Sequence, residues 1–199
     1  MARKSVIYIL LGQEIGLIIV SFIWLMIKNI SSINKLGFIS IFSLDPFKGF
    51  NVSPQSLLYG LSASIILIFL SFVITFTYEP FKKSLQLLDD LILHVIKPID
   101  ILPIAILSGI GEELFFRGVL QDSFGLLPSN IIFALLHFPG RQFWVYSLWT
   151  LFAGLFLGNI YAYTHNLFIV IIAHIMNNLL ALILWNKFKT KILKNNAKL

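Results

Sequence analysis

The chain has 199 residues, 58% of them hydrophobic and 12% charged, where soluble domains average about 25% charged. Such a composition excludes an ordinary soluble domain and points to a polytopic membrane protein. There is no cysteine, which excludes disulfides, Cys-based metal sites and Cys nucleophiles. The net charge of +6 comes from Lys and Arg clustered at the ends of apolar stretches, which is a membrane-topology pattern and not a nucleic-acid footprint.

Met1-Ala2-Arg3-Lys4 is a short basic start, and Ser5 to Ile27 follows as a first span. It is too long for a signal-peptide core and lacks a small-residue cleavage site. Gly12 and Gly16 stand at GxxxG spacing, which predicts close helix packing. Glu14, between them, is expected to face the bundle or a wet cavity, held by a structural hydrogen bond. Lys28 to Gln55 reads as a loop, with Asn34, Gly37, Asp45-Pro46, Gly49 and Ser53-Pro54 as breakers. Phe38 to Phe42 within it suits a short interfacial piece. Ser56 to Tyr78 is a second span, almost without polar groups, and reads as scaffold. From Glu79 to Lys97, Lys82, Lys83, Asp89 and Asp90 alternate with Leu85, Leu87, Leu88, Leu91 and Ile92. This pattern predicts an amphipathic helix at the membrane surface or the base of the next span, with His94 as an interfacial polar residue.

Ile99 to Gln121 is the third span, entered through Pro98 and Pro103 and carrying Asp100 near its start. Asp122 to Gly125 is a turn. Leu126 to Phe138 is apolar but short: at ~1.5 Å per residue it reaches under ~20 Å, against a hydrocarbon core of ~30 Å. It suits a partial or tilted span, and its end at Phe138-Pro139-Gly140 places His137 near a membrane face. Gln142 to Tyr163 is the next span, with Gly154 and Gly158 again at GxxxG spacing. Thr164-His165-Asn166 is a tight connection, and Asn166 to Trp185 is the last span. Lys187, Lys189, Lys191, Lys194 and Lys198 form a basic tail.

The fold class is therefore all-α, a polytopic integral membrane helical bundle of about six transmembrane segments. Residues 1–98 form an N-terminal membrane scaffold of two spans plus the amphipathic helix, 99–186 the core, and 187–199 the tail. An even number of crossings puts both termini on one side. That side collects Arg3, Lys4, Lys82, Lys83, Lys97, Arg141 and the tail lysines, against Lys28, Lys35 and Lys48 on the other. The asymmetry predicts cytoplasmic N- and C-termini.

The third span holds Gly109-Ile110-Gly111-Glu112-Glu113-Leu114-Phe115-Phe116-Arg117-Gly118. Each ionisable group at mid-membrane costs roughly 2.5–3.5 kcal/mol on insertion scales, so three together call for partners or a task. Glu113 and Arg117 are i and i+4 and meet on one helix face, which offsets much of the cost of burying both. Glu112 is rotated about 100° away and faces a different direction. A partly desolvated carboxylate there is placed to act as a general base towards water. His174 and Asn178 share one face of the last span at the same spacing, where an imidazole and an amide can donate to a developing oxyanion. Phe133 and His137 repeat the spacing on the short segment, and His137 can hold a water or share a proton with Glu112. A base, an orienting histidine and an oxyanion pair suffice for peptide hydrolysis without a covalent intermediate.

Together these motifs resemble the CAAX-protease and bacteriocin-processing family (CPBP, or Abi) of intramembrane endopeptidases. The family pattern appears here as Glu112-Glu113-x-x-x-Arg117, Phe133-x-x-x-His137 and His174-x-x-x-Asn178, with Gly118 also fitting. The resemblance covers roughly Ile99 to Trp185. It implies a helical bundle whose chamber opens to the cytoplasmic side, so 99–186 would be the protease core. It implies Glu112 as activator of the attacking water, assisted by His137, with His174 and Asn178 as the oxyanion site. Glu113, Arg117 and Phe133 would be supporting residues.

Glu112, His137 and His174 also offer a two-histidine, one-carboxylate set for zinc with an open position. A glutamate mechanism needs no ion and is favoured, since no His-Glu-x-x-His helix is present. The expected function is an intramembrane endopeptidase cleaving a membrane-associated or lipid-modified peptide. A non-catalytic adaptor or bacteriocin-immunity-type protein of the same fold is the alternative. A small transporter using Glu112 and Glu113 as a proton relay is the third reading, though no paired repeats are visible. The expected partners are the lipid bilayer and the peptide substrate, without nucleic acid. The expected setting is a prokaryotic plasma membrane or an organellar membrane.

Overall fold

The computed structural model describes residues 3–36 and 49–194. The described residues are helical and connecting, with no strand among them. Helix α1 runs Arg3–Leu36, α2 Pro54–Thr77 and α3 Glu79–Leu91. Helix α4 runs Pro98–Glu113 and continues without a break into a π-helical stretch, Leu114–Gln121, and the single turn α5, Asp122–Phe124. Then come α6 Leu126–Leu136, α7 Trp144–Thr164 and α8 Leu167–Lys194.

Two boundaries differ from the sequence reading. Lys28 to Leu36 continues α1 and is not a loop. The basic stretch from Lys187 likewise continues α8 to Lys194. A helix that leaves the apolar layer keeps its backbone bonds, and polar side chains do not stop it without a proline or a cap. The interfacial piece expected at Phe38 to Phe42, the breakers Gly37 and Asp45-Pro46, and the tail from 195 lie outside the described residues.

The starts of the helices follow ordinary capping chemistry. Ser53 caps α2 in a reciprocal arrangement with Ser56, and Pro54 occupies the first turn. At α4 the Asp100 carboxylate accepts the Lys97 backbone N–H at 2.9 Å and is ion-paired with Arg3, which ties α1 to α4. Gly125 takes φ +89° to turn the chain into α6. Asn51 and Asn166 hydrogen-bond reciprocally, joining the entry to α2 with the entry to α8.

Among the described residues, four stretches are long and apolar enough to cross a membrane: Arg3–Lys28, Pro54–Thr77, Arg141–Thr164 and Leu167–Thr190. The helix through α4 and the π-helical stretch stands where the third span was expected. The short segment expected at 126–138 is an eleven-residue helix, α6. The outer faces are apolar: Ile65, Phe69, Phe72 and Phe76 of α2 are exposed, as suits lipid-facing side chains. Helix α8 is the central element, packed between α2 and α4, while α1 lies against α4 and α6 against α7. The apolar core joins Ala63 and Leu67 of α2, Leu114, Leu157 of α7, and Leu167, Val170, Ile171 and Ala173 of α8.

The amphipathic reading of Glu79 to Lys97 holds for α3. Its Asp89 is buried and accepts the Trp185 indole N–H at 2.7 Å, with Lys189 at 3.4 Å. The GxxxG expectations divide. Gly154 and Gly158 pack on α6: a methyl at Gly154 would stand 2.6 Å from Asn130 Oδ1 and 3.0 Å from Phe133. Gly12 and Gly16 have nothing within 4 Å, so the close packing expected of them is absent among the described residues.

Candidate active site

The site is assembled by α4, the π-helical stretch, α6 and α8. Glu113 and Arg117 are both 0% exposed, and Arg117 Nη1 donates to Glu113 Oε1 at 2.9 Å. Arg117 Nη2 donates to the Gly154 carbonyl at 2.8 Å. The guanidinium carbon lies 5.2 Å from the Phe133 ring centroid. A guanidinium so buried needs partners on several sides: a carboxylate and a carbonyl take Nη1 and Nη2, the Phe133 ring lies beside it, and Nε is buried with no hydrogen-bond partner.

Glu112 points elsewhere, as its 100° rotation requires. Its Oε1 lies 3.9 Å from His137 Nε2 and its Oε2 lies 3.6 Å from His174 Nε2. Each histidine is anchored through its other nitrogen. His137 Nδ1 stands 2.8 Å from the Phe133 carbonyl, which only accepts, so Nδ1 carries the hydrogen there. His174 Nδ1 stands 2.6 Å from Glu113 Oε1. Both rings therefore present Nε2 towards the Glu112 carboxylate. The separations exceed a direct hydrogen bond and suit a bridging water.

Asn178 lies one turn beyond His174 and donates from Nδ2 to Ser108 Oγ on α4 at 2.9 Å. Six of the seven residues singled out by sequence, Glu112, Glu113, Arg117, Phe133, His137 and His174, thus form one contact network. Asn178 joins it through α4, on the face it shares with His174. Sequence reasoning did not find Ser108, the Gly154 carbonyl, or Ser147, whose hydroxyl donates to the His137 carbonyl at 2.8 Å. Tyr146, with its ring 6.4 Å from that of His137, was also missed. None of these carries a motif signal: each contact depends on how two helices cross. The buried Glu14 packs against α4 at Gly111, where a methyl would stand 2.8 Å from the Glu14 carbonyl and 3.0 Å from its Oε2. Its Oε2 is buried with no hydrogen-bond partner, so the structural hydrogen bond expected of it is not made there.

As for zinc, the described residues hold no group of three His, Cys, Asp or Glu side chains that converges as a metal site. An apolar cavity of about 360 Å³ lies between α2, α3 and α7, lined by Ile74, Phe81, Trp144 and Trp149 among others, and it includes none of the site residues.

Comparison with known proteins falls on this region. Residues 94–180 match the family described as "Type II CAAX prenyl endopeptidase Rce1-like". The segment resembles that family. It contains every motif residue from Glu112 to Asn178, and it supports the CPBP resemblance. The chain is also 38% identical over 71 residues to "Uncharacterized protein YpbD" of Bacillus subtilis (strain 168). That similarity covers 36% of this chain and 38% of the relative, so the chain spans well under half of that protein's length. No solved structure matches the chain.

Proposed function

We propose that this chain is an intramembrane endopeptidase that hydrolyses a peptide bond in a membrane-associated or lipid-modified protein or peptide by glutamate-activated water. The observation that carries this reading is the pair of histidine Nε2 atoms facing the two oxygens of one buried carboxylate at 3.9 and 3.6 Å. The similarity of 94–180 to CAAX prenyl endopeptidases supports it.

Glu112 takes one proton from the water as the water oxygen attacks the scissile carbonyl carbon. His137 holds that water from the α6 side. The carbonyl oxygen becomes an oxyanion facing the α8 wall, where His174 acts through Nε2 and Asn178 through the second hydrogen of its amide. Collapse of the tetrahedral intermediate breaks the C–N bond, and Glu112 returns its proton to the leaving nitrogen. One water is consumed and a carboxyl and an amine are released. Glu113 and Arg117 do not touch the substrate: they fix the His174 ring and tie α4 to α7. Residues 99–186 are the catalytic core in this reading, 1–98 its membrane scaffold and 187–199 a basic tail, with both termini cytoplasmic.

The test uses purified protein in liposomes with a membrane-tethered reporter peptide, and mass spectrometry of the products. The expected result is a single internal cleavage that persists under strong chelation and is lost in His174→Ala. Stoichiometric zinc, with activity lost on its removal and recovered on its return, would overturn the metal-free mechanism. An unchanged cellular phenotype in Glu112→Gln would favour the adaptor reading.

A further inference from the structure

Ser108 belongs to none of the motifs, yet it holds one of their side chains. The Asn178 amide has a donor end and an acceptor end of nearly the same shape, so it serves an oxyanion only when turned the right way. Three hydrogen bonds bear on that turn. Ser108 is 7% exposed, and its hydroxyl donates to the Ala105 carbonyl at 3.3 Å. A hydroxyl has one hydrogen, so with that hydrogen on Ala105 the Ser108 oxygen meets Asn178 through its lone pairs. Asn178 Nδ2 donates to that oxygen at 2.9 Å. At the other end of the amide, Asn177 Nδ2 donates to Asn178 Oδ1 at 3.3 Å. Both ends therefore specify the same orientation. The helices also come close at this level. A methyl at Gly109, the residue after Ser108, would stand 2.8 Å from the Ile175 backbone nitrogen. With α4 and α8 this near, a side chain as short as serine reaches across.

We propose that Ser108 is a positioning residue for Asn178: it holds the amide with its nitrogen, and not its oxygen, towards the oxyanion. One Nδ2 hydrogen is spent on Ser108, and the other is left for the substrate oxygen. An amide turned end for end would set Oδ1 where Nδ2 stands, and its lone pairs would repel the developing negative charge. Without the Ser108 hydroxyl, the Nδ2 end loses its acceptor and the Asn177 bond alone opposes that turn. In this role Ser108 touches neither the water nor the peptide. The inference rests on the protease reading for its catalytic consequence, though the orienting bond stands apart from it.

The test has two arms. In the first, wild type, Ser108→Ala, Ser108→Thr, Asn178→Ala and the Ser108→Ala, Asn178→Ala double variant are compared on the tethered reporter, with melting profiles recorded. Ser108→Ala removes one oxygen and adds no bulk, so it is expected to keep the fold. Losing an oxyanion donor outright costs about 10²–10³ in kcat, so an amide left in place but free to turn should cost roughly tenfold, with KM unchanged. Ser108→Thr keeps the hydroxyl and should regain most of the rate. In the Asn178→Ala background Ser108→Ala should cost nothing further, because nothing is left to position. Wild-type kcat in Ser108→Ala, or an equal loss with and without the Asn178 amide, overturns the proposal and leaves the protease reading intact. The second arm reads the amide directly by NMR and covers a wild type that does not cleave. With isotope-labelled asparagine, the Asn178 side-chain NH₂ signals are those missing in Asn178→Ala. They should shift in Ser108→Ala and stay near their wild-type positions in Ser108→Thr. Unshifted signals in Ser108→Ala overturn the orienting bond. Cleavage undiminished in Glu112→Gln overturns the protease reading, whatever the signals show.

Discussion

Gly154 and Gly158 on α7 press against α6, whereas Gly12 and Gly16 on α1 meet nothing within 4 Å. The spacing is the same and the outcome opposite, so small residues at GxxxG spacing permit close packing without dictating it. What draws α7 inward is the polar demand of its neighbours. The Gly154 carbonyl accepts from Arg117, and the Gly158 carbonyl accepts from Gln121, each at 2.8 Å. Helix α1 meets α4 on a different face, through Glu14, and there the small residue is Gly111 on the partner helix. Close approach is a property of the pair of helices, set where a buried polar group needs a partner.

This contrast can be broken or sharpened experimentally. The largest effect should come from Arg117→Met, which leaves Glu113 buried without its cation and severs the bond to α7. Removing one member of a buried pair costs about 3–5 kcal/mol, so a sharply lowered melting transition is expected. Gly154→Val is next. Its new methyls meet Asn130 and Phe133, and overpacking of this kind costs about 1–3 kcal/mol, readable as a smaller drop in melting temperature. Gly12→Ala and Gly16→Ala should fall within about 0.5 kcal/mol of wild type, since the added methyls meet no neighbour. A large loss of stability in the α1 variants would place a packing partner against them and erase the contrast.

Much of the site was legible in the sequence because its pairs are local. Glu113 with Arg117, Phe133 with His137, and His174 with Asn178 each lie one helical turn apart, and helix geometry alone puts them on shared faces. The 100° offset between Glu112 and Glu113 was legible for the same reason. It separates a carboxylate spent on Arg117 from one left to the histidines. The contacts between helices were not legible. Ser108 under Asn178, the Gly154 carbonyl on Arg117 and the dual role of His174 between both glutamates depend on how α4, α7 and α8 cross. The π-helical stretch Leu114–Gln121 also escaped, since nothing in Leu-Phe-Phe-Arg-Gly-Val-Leu-Gln distinguishes a π-helical turn from an α-helical one. The helix ends at Leu36 and Lys194 were misread because polarity marks the edge of an apolar layer, and a helix passes that edge freely.

The central claim is that Glu112 activates the attacking water, and one rate ratio tests it most directly. Cleavage of a membrane-tethered reporter by Glu112→Gln is measured against wild type at matched melting profiles. Loss of a general base predicts a fall of roughly 10²–10⁴-fold with the fold intact. Equal rates for the two proteins would contradict the account and place the hydrolytic group elsewhere.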